Sequence, residues 1–195
     1  MKDLIWEKWL SDKNSRAARW PLLTQFDAEL AAQACKRGCP CGGALHRANY
    51  ERKVRGVNVA EKVWRHSFCC AVEGCRRRLT PGSVRFFGRK VYAGFIVVLL
   101  TALGHGLTAE RVQILREQLG VDRRTLERWR RWWLEHFVQH PQWRVARAQF
   151  LPPVDAAALP RSLWERFRGQ RAEDDPLLAL LRFLAPWTVP AAPAK

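Results

Sequence analysis

Phe68-Cys69-Cys70-Ala71-Val72-Glu73-Gly74-Cys75-Arg76-Arg77-Arg78 is the stretch on which the fold turns. Trp64, His66, Phe68 and Cys70 fall on one side of a period-two strand, so a Phe68 that packs inward carries Cys70 inward and turns Cys69 away. Gly74 then allows a tight turn that brings Cys75 back towards Cys70. About 30 residues upstream stands a second cluster, Cys35-Lys-Arg-Gly-Cys39-Pro-Cys41-Gly-Gly43. Pro after Cys39 and Gly-Gly after Cys41 resemble a Cys-Pro-x-Cys-Gly knuckle shortened by one residue, which favours Cys39 and Cys41 over Cys35.

Two such knuckles supply two thiolates each to a tetrahedral ion, the logic of a structural zinc ribbon. The expected Zn²⁺ ligands are therefore Cys39, Cys41, Cys70 and Cys75, with Cys35 and Cys69 as the alternatives. The competing reading is a set of reduced, buried thiols without metal. Clustering beside Gly and Pro in basic sequence argues against it, because core cysteines are not distributed that way. A catalytic zinc would keep an open coordination position beside a general base, and no HxE or HExxH spacing occurs. His46 and His66 read as packing or phosphate-contacting residues.

Outward from the ribbon, helical periodicity runs from Ser83 to about His140 in three blocks, broken at Gly104 to Gly106 and at Gly120. The first is an apolar supporting helix from Val91 to Leu103. In the second, Thr108 caps a helix with Val112, Leu115 and Leu119 inward; Gly120 takes the left-handed terminal position and Asp122 caps the third. That is a helix-turn-helix. In its last helix Leu126, Trp129, Trp133 and Phe137 recur at three- and four-residue steps and face the core, whereas Arg123, Arg124, Thr125, Arg128 and Arg131 are the expected DNA-contacting residues. Arginine suits this because its fork pairs bidentately with guanine. Arg76, Arg77 and Arg78, with Arg85, Arg89 and Lys90, form a second basic stretch expected to hold phosphates without reading sequence. Arg47, Arg52, Lys53 and Arg55 either extend that surface or belong to a solvated loop.

With 34 Lys and Arg against 18 Asp and Glu, the 195-residue chain carries a net charge of +16, so an anionic partner is expected. Residues 1 to about 34 suggest two short helices separated at Pro21. Past Pro141 the sequence is proline-broken and helical, and from Val189 a Pro/Ala tail is expected to be disordered. The predicted fold is mainly α with a small β zinc ribbon. Its segments are N-terminal helices at 1–34, the ribbon at 35–82, the helix-turn-helix at 83–140, a helical extension at 141–188 and the tail at 189–195. Leu177, Leu180, Leu181 and Trp187, if exposed, would suit a protein partner or a homodimer. No secretory signal is legible and the apolar run from Ala93 to Leu103 is about half the length that spans a bilayer, so the expectation is a cytoplasmic chain with six reduced cysteines and no membrane partner.

Taken together, Cys39-Pro-Cys41-Gly-Gly, the Cys70 to Cys75 knuckle with its Arg tail, and Leu119-Gly-Val-Asp-Arg-Arg-Thr-Leu-Glu-Arg-Trp129 resemble the DNA-binding region of bacterial insertion-element transposases. They resemble equally the stand-alone mobile-element proteins of that type. The resemblance covers roughly residues 35–138 and implies binding of double-stranded DNA, in transposition or as a transcriptional regulator. It does not imply strand cleavage. Such transposases hold two Mg²⁺ ions on three carboxylates, and the only acids beyond Pro141 are Asp155, Glu165, Glu173, Asp174 and Asp175. A non-enzymatic DNA binder is the expectation. An RNA-binding or assembly module is the alternative, with the DNA-binding subunit of a nucleic-acid enzyme behind it.

Overall fold

A computed structural model describes residues 13–52, 63–87, 92–93, 109, 112–113, 116–117, 121–169 and 175–188. Several expectations lie outside these residues: the first N-terminal helix around Trp6 and Leu10, Lys53 and Arg55, Arg89 and Lys90, most of the Val91 to Leu103 helix, most of the first helix of the helix-turn-helix, and the 189–195 tail. The fold mixes helices with small antiparallel sheets, and the chain divides into two compact units, Met1–Ala93 with Arg182–Lys195, and Gly94–Leu181.

The first described element is α1 (Lys13–Arg37), which continues through Pro21 where a break was expected. Proline lacks the N–H of an interior helical bond and its ring crowds the preceding turn. Here the Thr24 hydroxyl donates to the Trp20 carbonyl at 2.8 Å beside that gap. The larger reason is tertiary. Leu23, Asp27, Ala31 and Ala34 form one buried stripe that begins two residues after the proline, and burial of such a stripe outweighs local propensity. Gly38 ends the helix at φ +73°, its amide donating to the Cys35 carbonyl at 3.1 Å.

Strands β1 (Leu45–Arg47), β2 (Tyr50–Arg52), β3 (Val63–Arg65), β4 (Phe68–Cys70) and β5 (Arg78–Leu79) follow. β4 lies between β1 and β5 in an antiparallel sheet, and β2 pairs with β3. The register sets Leu45 against Cys70 and Phe68 against Leu79. Ala31 and Ala34 of α1 pack on Phe68, Leu45 and Leu79, closing the inner face of the sheet. The small alanines let the helix come close to the strands.

The helical periodicity expected from Ser83 is not what residues 86–93 adopt where they are described. β6 (Phe86–Phe87) and β7 (Tyr92–Ala93) pair antiparallel instead. Aromatic residues at 86, 87 and 92 favour a pleated strand over a helix, and periodicity over so short a run cannot separate the two. This segment also holds a buried polar knot. Asp27, 1% exposed, accepts the Ser83 hydroxyl at 2.6 Å, the Val84 amide at 2.7 Å and Arg85 Nε at 2.8 Å. Arg85 also donates to the Trp64 carbonyl at 2.9 Å and is buried. Its expected place in a phosphate-binding stretch is therefore corrected: the ion pair with Asp27 occupies it.

In the second unit, α2 (Arg123–Arg131) continues as a π-helical turn over Trp132–Phe137, and α3 (Pro141–Ala146) and α4 (Arg161–Arg168) follow. Trp133, Phe137, Trp143, Phe150 and Phe167 form an aromatic ladder with successive ring centroids 4.8, 4.8, 6.3 and 6.1 Å apart. Such tilted and edge-on pairs add specific attraction to the area they bury. α5 (Pro176–Leu184), which runs past the unit boundary at Arg182, buries Leu177, Leu180 and Leu181, while Trp187, of the first unit, is half-buried. Those leucines belong to the chain's own core, so the exposed partner or homodimer surface expected of them is not present. Among the described residues no helix is long and apolar enough to cross a membrane.

The expected cap of α2 is present. Asp122 has extended dihedrals, φ −91° and ψ 167°, and its carboxylate accepts the Thr125 amide at 2.6 Å. The Thr125 backbone bond, aided by the Arg128 charge, holds the Asp122 carboxyl below the usual carboxylate range. The sign follows directly: a depressed carboxylate contributes stability above its unfolded pKa and loses it as the pH falls through the folded value. Asp122→Ala is therefore expected to lower the melting temperature by a few degrees at pH 7 and progressively less below pH 4. A difference that persists undiminished at pH 2.5 in thermal melts would refute the charged cap.

Candidate metal centre

The first knuckle grows directly out of α1. After Gly38, the Gly42 amide donates to the Cys39 carbonyl at 2.8 Å and the Cys39 amide to the Gly43 carbonyl at 3.3 Å, closing a tight loop over Pro40 and Cys41. Of the two glycines after Cys41, Gly42 takes the left-handed conformation, at φ +80°. Gly43 is glycine for space. A methyl group there would lie 2.7 Å from Cys70 Sγ and 2.6 Å from a Val72 methyl.

The second knuckle follows β4. The amides of Cys75 and Arg76 both donate to the Val72 carbonyl at 3.0 Å, and Arg76 takes a positive φ of 41° to turn the chain into β5. Two cross-links tie the knuckles into the sheet: Cys70 N to the Arg77 carbonyl at 3.0 Å and Ala71 N to the Ala44 carbonyl at 2.9 Å.

These turns bring together the four sulfurs expected from the sequence. Cys39, Cys41, Cys70 and Cys75 Sγ all lie within 4.8 Å of one another. Cys39 Sγ is 3.7 Å from Cys75 Sγ, and Cys41 Sγ is 3.4 Å from Cys70 Sγ. A tetrahedral ion with metal–sulfur bonds of about 2.3 Å needs sulfur–sulfur edges of about 3.8 Å. The donor set fits a metal ion. Cys69 is outside it, its sulfur directed at the Arg76 carbonyl, 3.6 Å away. Cys35 is exposed on α1.

The electrostatics of the cluster point the same way. The Gly43 amide, then the neighbouring thiols, hold the Cys41 thiol down to about 7. At Cys70 the Val72 amide pulls in the same direction, but burial and the other three thiols outweigh it and push the group up to about 12. Four thiols this close cannot all ionise by themselves, since each thiolate opposes the next. A divalent cation removes that conflict, and the amides aimed at the sulfurs then stabilise the thiolates.

The remaining expected site residues lie on two other surfaces. Arg76, Arg77 and Arg78 are exposed on the ribbon, and Arg123, Arg124, Arg128 and Arg131 on α2. Arg123 and Arg131 form exposed i,i+4 pairs with Glu127 at 3.6 Å and Glu135 at 3.9 Å, a type worth little in water. Thr125 differs from the expectation: it is buried at 6% exposure, and its hydroxyl accepts Arg128 Nη2 at 3.4 Å. It serves the helix cap. Of the two histidines, His46 is exposed and His66 is half-buried, with burial and the Arg85 charge lowering its affinity for a proton. Composition and spacing did not single out Tyr50, whose ring receives both Arg52 and Arg78 at 4.9 and 5.0 Å. Only the strand pairing brings these three together.

No family model, curated protein or solved structure matches the chain.

Proposed function

We propose that this protein binds double-stranded DNA, with Zn²⁺ on Cys39, Cys41, Cys70 and Cys75 fixing the ribbon and α2 acting as the recognition helix of a helix-turn-helix. The ribbon resembles that of insertion-element transposases, and the reading is of binding without strand cleavage, in transposition or transcriptional control. Four thiolates close a tetrahedral ion completely, so this centre offers no coordination position for a water nucleophile.

One observation carries the reading. Arg124, Arg128 and Arg131 are exposed along one stripe of α2, while Leu126, Trp133 and Phe137 are buried on the other side. Beyond the Asp122 cap, the first turn holds arginines and no acid, although the helix dipole disfavours cations at that end. Folding does not ask for this. An anionic partner does, and the N-terminal residues of a recognition helix are those that meet base edges in the major groove. Zinc is favoured because an all-thiolate tetrahedral set suits it.

Two measurements test the proposal: metal content of the purified protein, and selection of bound sequences from a random duplex pool. One zinc per chain and an enriched motif are expected. Arg124→Ala or Arg128→Ala should cost on the order of 1–3 kcal/mol on the preferred site and relax the preference at one position. Equal losses on every sequence would defeat the recognition-helix assignment, and enrichment of RNA over duplex DNA would favour an RNA-binding module.

A further inference from the structure

On the outer face of the ribbon the register lines up His46, Cys69 and Arg78 across β1, β4 and β5. Arg78 is held there by three partners. Nε donates to the Ser67 hydroxyl at 3.0 Å, Nη2 donates to the Ala48 carbonyl at 3.0 Å, and the guanidinium lies over the Tyr50 ring at 5.0 Å. None of these partners carries a negative charge, and among the described residues no carboxylate pairs with Arg78. The residue is nevertheless exposed, and Nη1 is not among the donors used. An exposed arginine ordinarily loses side-chain entropy when it grips a ligand; one already fixed in place loses far less.

We infer that this outer sheet face is a phosphate grip for the backbone of duplex DNA, with Arg78 as its preset fork and the exposed Arg76 and Arg77 as its flanks. The inference rests on the DNA-binding reading above and deepens it by assigning a second contact surface, on the ribbon rather than on α2. Charge complementarity selects the partner. Arg52, which shares the Tyr50 ring with Arg78, and the exposed Arg76 and Arg77 add positive charge beside that fork, against Glu73 in the turn. The choice of duplex over single strand follows from Tyr50. Its ring is taken up by Arg52 and Arg78, so the aromatic group next to the fork is not open for the base stacking that single-strand binders use. What remains on offer is donors to phosphate, which fix register without reading bases.

The test uses the full chain, loaded with zinc, against a fixed duplex of about 25 base pairs and its single strand, with affinity followed across a salt series. Arg78→Ala is expected to bind every duplex roughly ten-fold more weakly and to reduce the slope of log affinity against log salt by about one, at unchanged zinc content. A purely structural Arg78 would lower the melting temperature and leave the salt slope alone. Should Arg78→Ala lose zinc, Arg78→Gln carries the test, because its amide can still donate to Ala48 while the charge is gone. Wild-type affinity and slope in a zinc-loaded variant overturn the grip; if Arg124→Ala still relaxes sequence preference, the DNA-binding reading stands without it. A wild-type chain that prefers the single strand overturns the choice of partner, and one that binds no duplex at all overturns both readings.

Discussion

Cys70→Ser is expected to abolish stoichiometric metal binding and to unfold the ribbon. Cys70 is fully buried, its sulfur 3.4 Å from Cys41 Sγ, and it ends the strand that pairs with both β1 and β5. A serine hydroxyl does not ionise near neutral pH and is a poor replacement for a soft thiolate, so the ion would keep three ligands beside a buried, unpaired oxygen. Structural zinc contributes on the order of 10 kcal/mol to small domains, comparable with the whole stability of an ordinary fold. Short strands of two and three residues cannot replace that, since isolated ladders this small are marginal in water. Zinc per chain should fall well below one and the ribbon amides should exchange freely. Cys69→Ser, whose sulfur faces away from the cluster, should retain both. Equal zinc loss in the two variants would refute the ligand set.

The same centre should respond to pH in a definite direction. Metal binding requires thiolates, so protons compete with the ion. Without metal Cys70 keeps its proton up to about 12, whereas Cys41 gives it up near 7. Affinity should therefore rise with pH through the neutral range, and a chelator should strip the protein more readily at pH 6 than at pH 8. An affinity independent of pH over that interval would exclude thiolate ligation.

Asp27→Ala should be the most damaging substitution remote from the metal, at about 3–5 kcal/mol. The Asp27 and Arg85 side chains are 0% and 4% exposed. Removing the carboxylate leaves Arg85 buried without its counter-charge, near Arg65, whose own guanidinium is held below its ordinary value first by burial. It also strands the Ser83 hydroxyl and the Val84 amide, which both donate to Asp27. Replacing both ends of the ion pair with apolar residues, Asp27→Leu with Arg85→Met, is expected to recover part of the loss, because most of the damage comes from the orphaned charge rather than from the missing attraction. Urea midpoints of the single and double variants decide the matter. A loss below about 1 kcal/mol in Asp27→Ala would mean that the pocket admits water and that the pair is not isolated from solvent.

The features read correctly from the sequence are those whose cause lies within a few residues. Alternation by two from Phe68 to Cys70 selected Cys70 over Cys69, because neighbouring side chains on a strand must point to opposite faces. It does not extend back to Trp64, which lies on the separate strand β3 and is exposed while Val63 and Arg65 are buried. Asp122 three residues before Thr125 announced a cap, and the helix that follows buries Leu126, Trp133 and Phe137 of the expected core face, with Trp129 only half-buried, because helical repetition fixes which side chains share a side. Glycines and a proline beside clustered thiols pointed to knuckles, and the four sulfurs meet.

What the sequence could not decide was which distant residues would meet. Pro21 reads as a helix break until the buried stripe of α1 is packed on the strands. Asp27 and Arg85 look like ordinary surface charges 58 residues apart, and the Ser83 amide finds the Thr188 hydroxyl across 105. Leu177, Leu180 and Leu181 could equally have faced a partner. Local chemistry fixes a cap, a turn or the side on which a residue lies, since each involves only a few neighbouring dihedrals. A long-range pair leaves no such pattern in the chain, because nothing in either segment records its partner until the hydrophobic surfaces of helix and sheet have closed on each other and excluded the water that would otherwise solvate both charges.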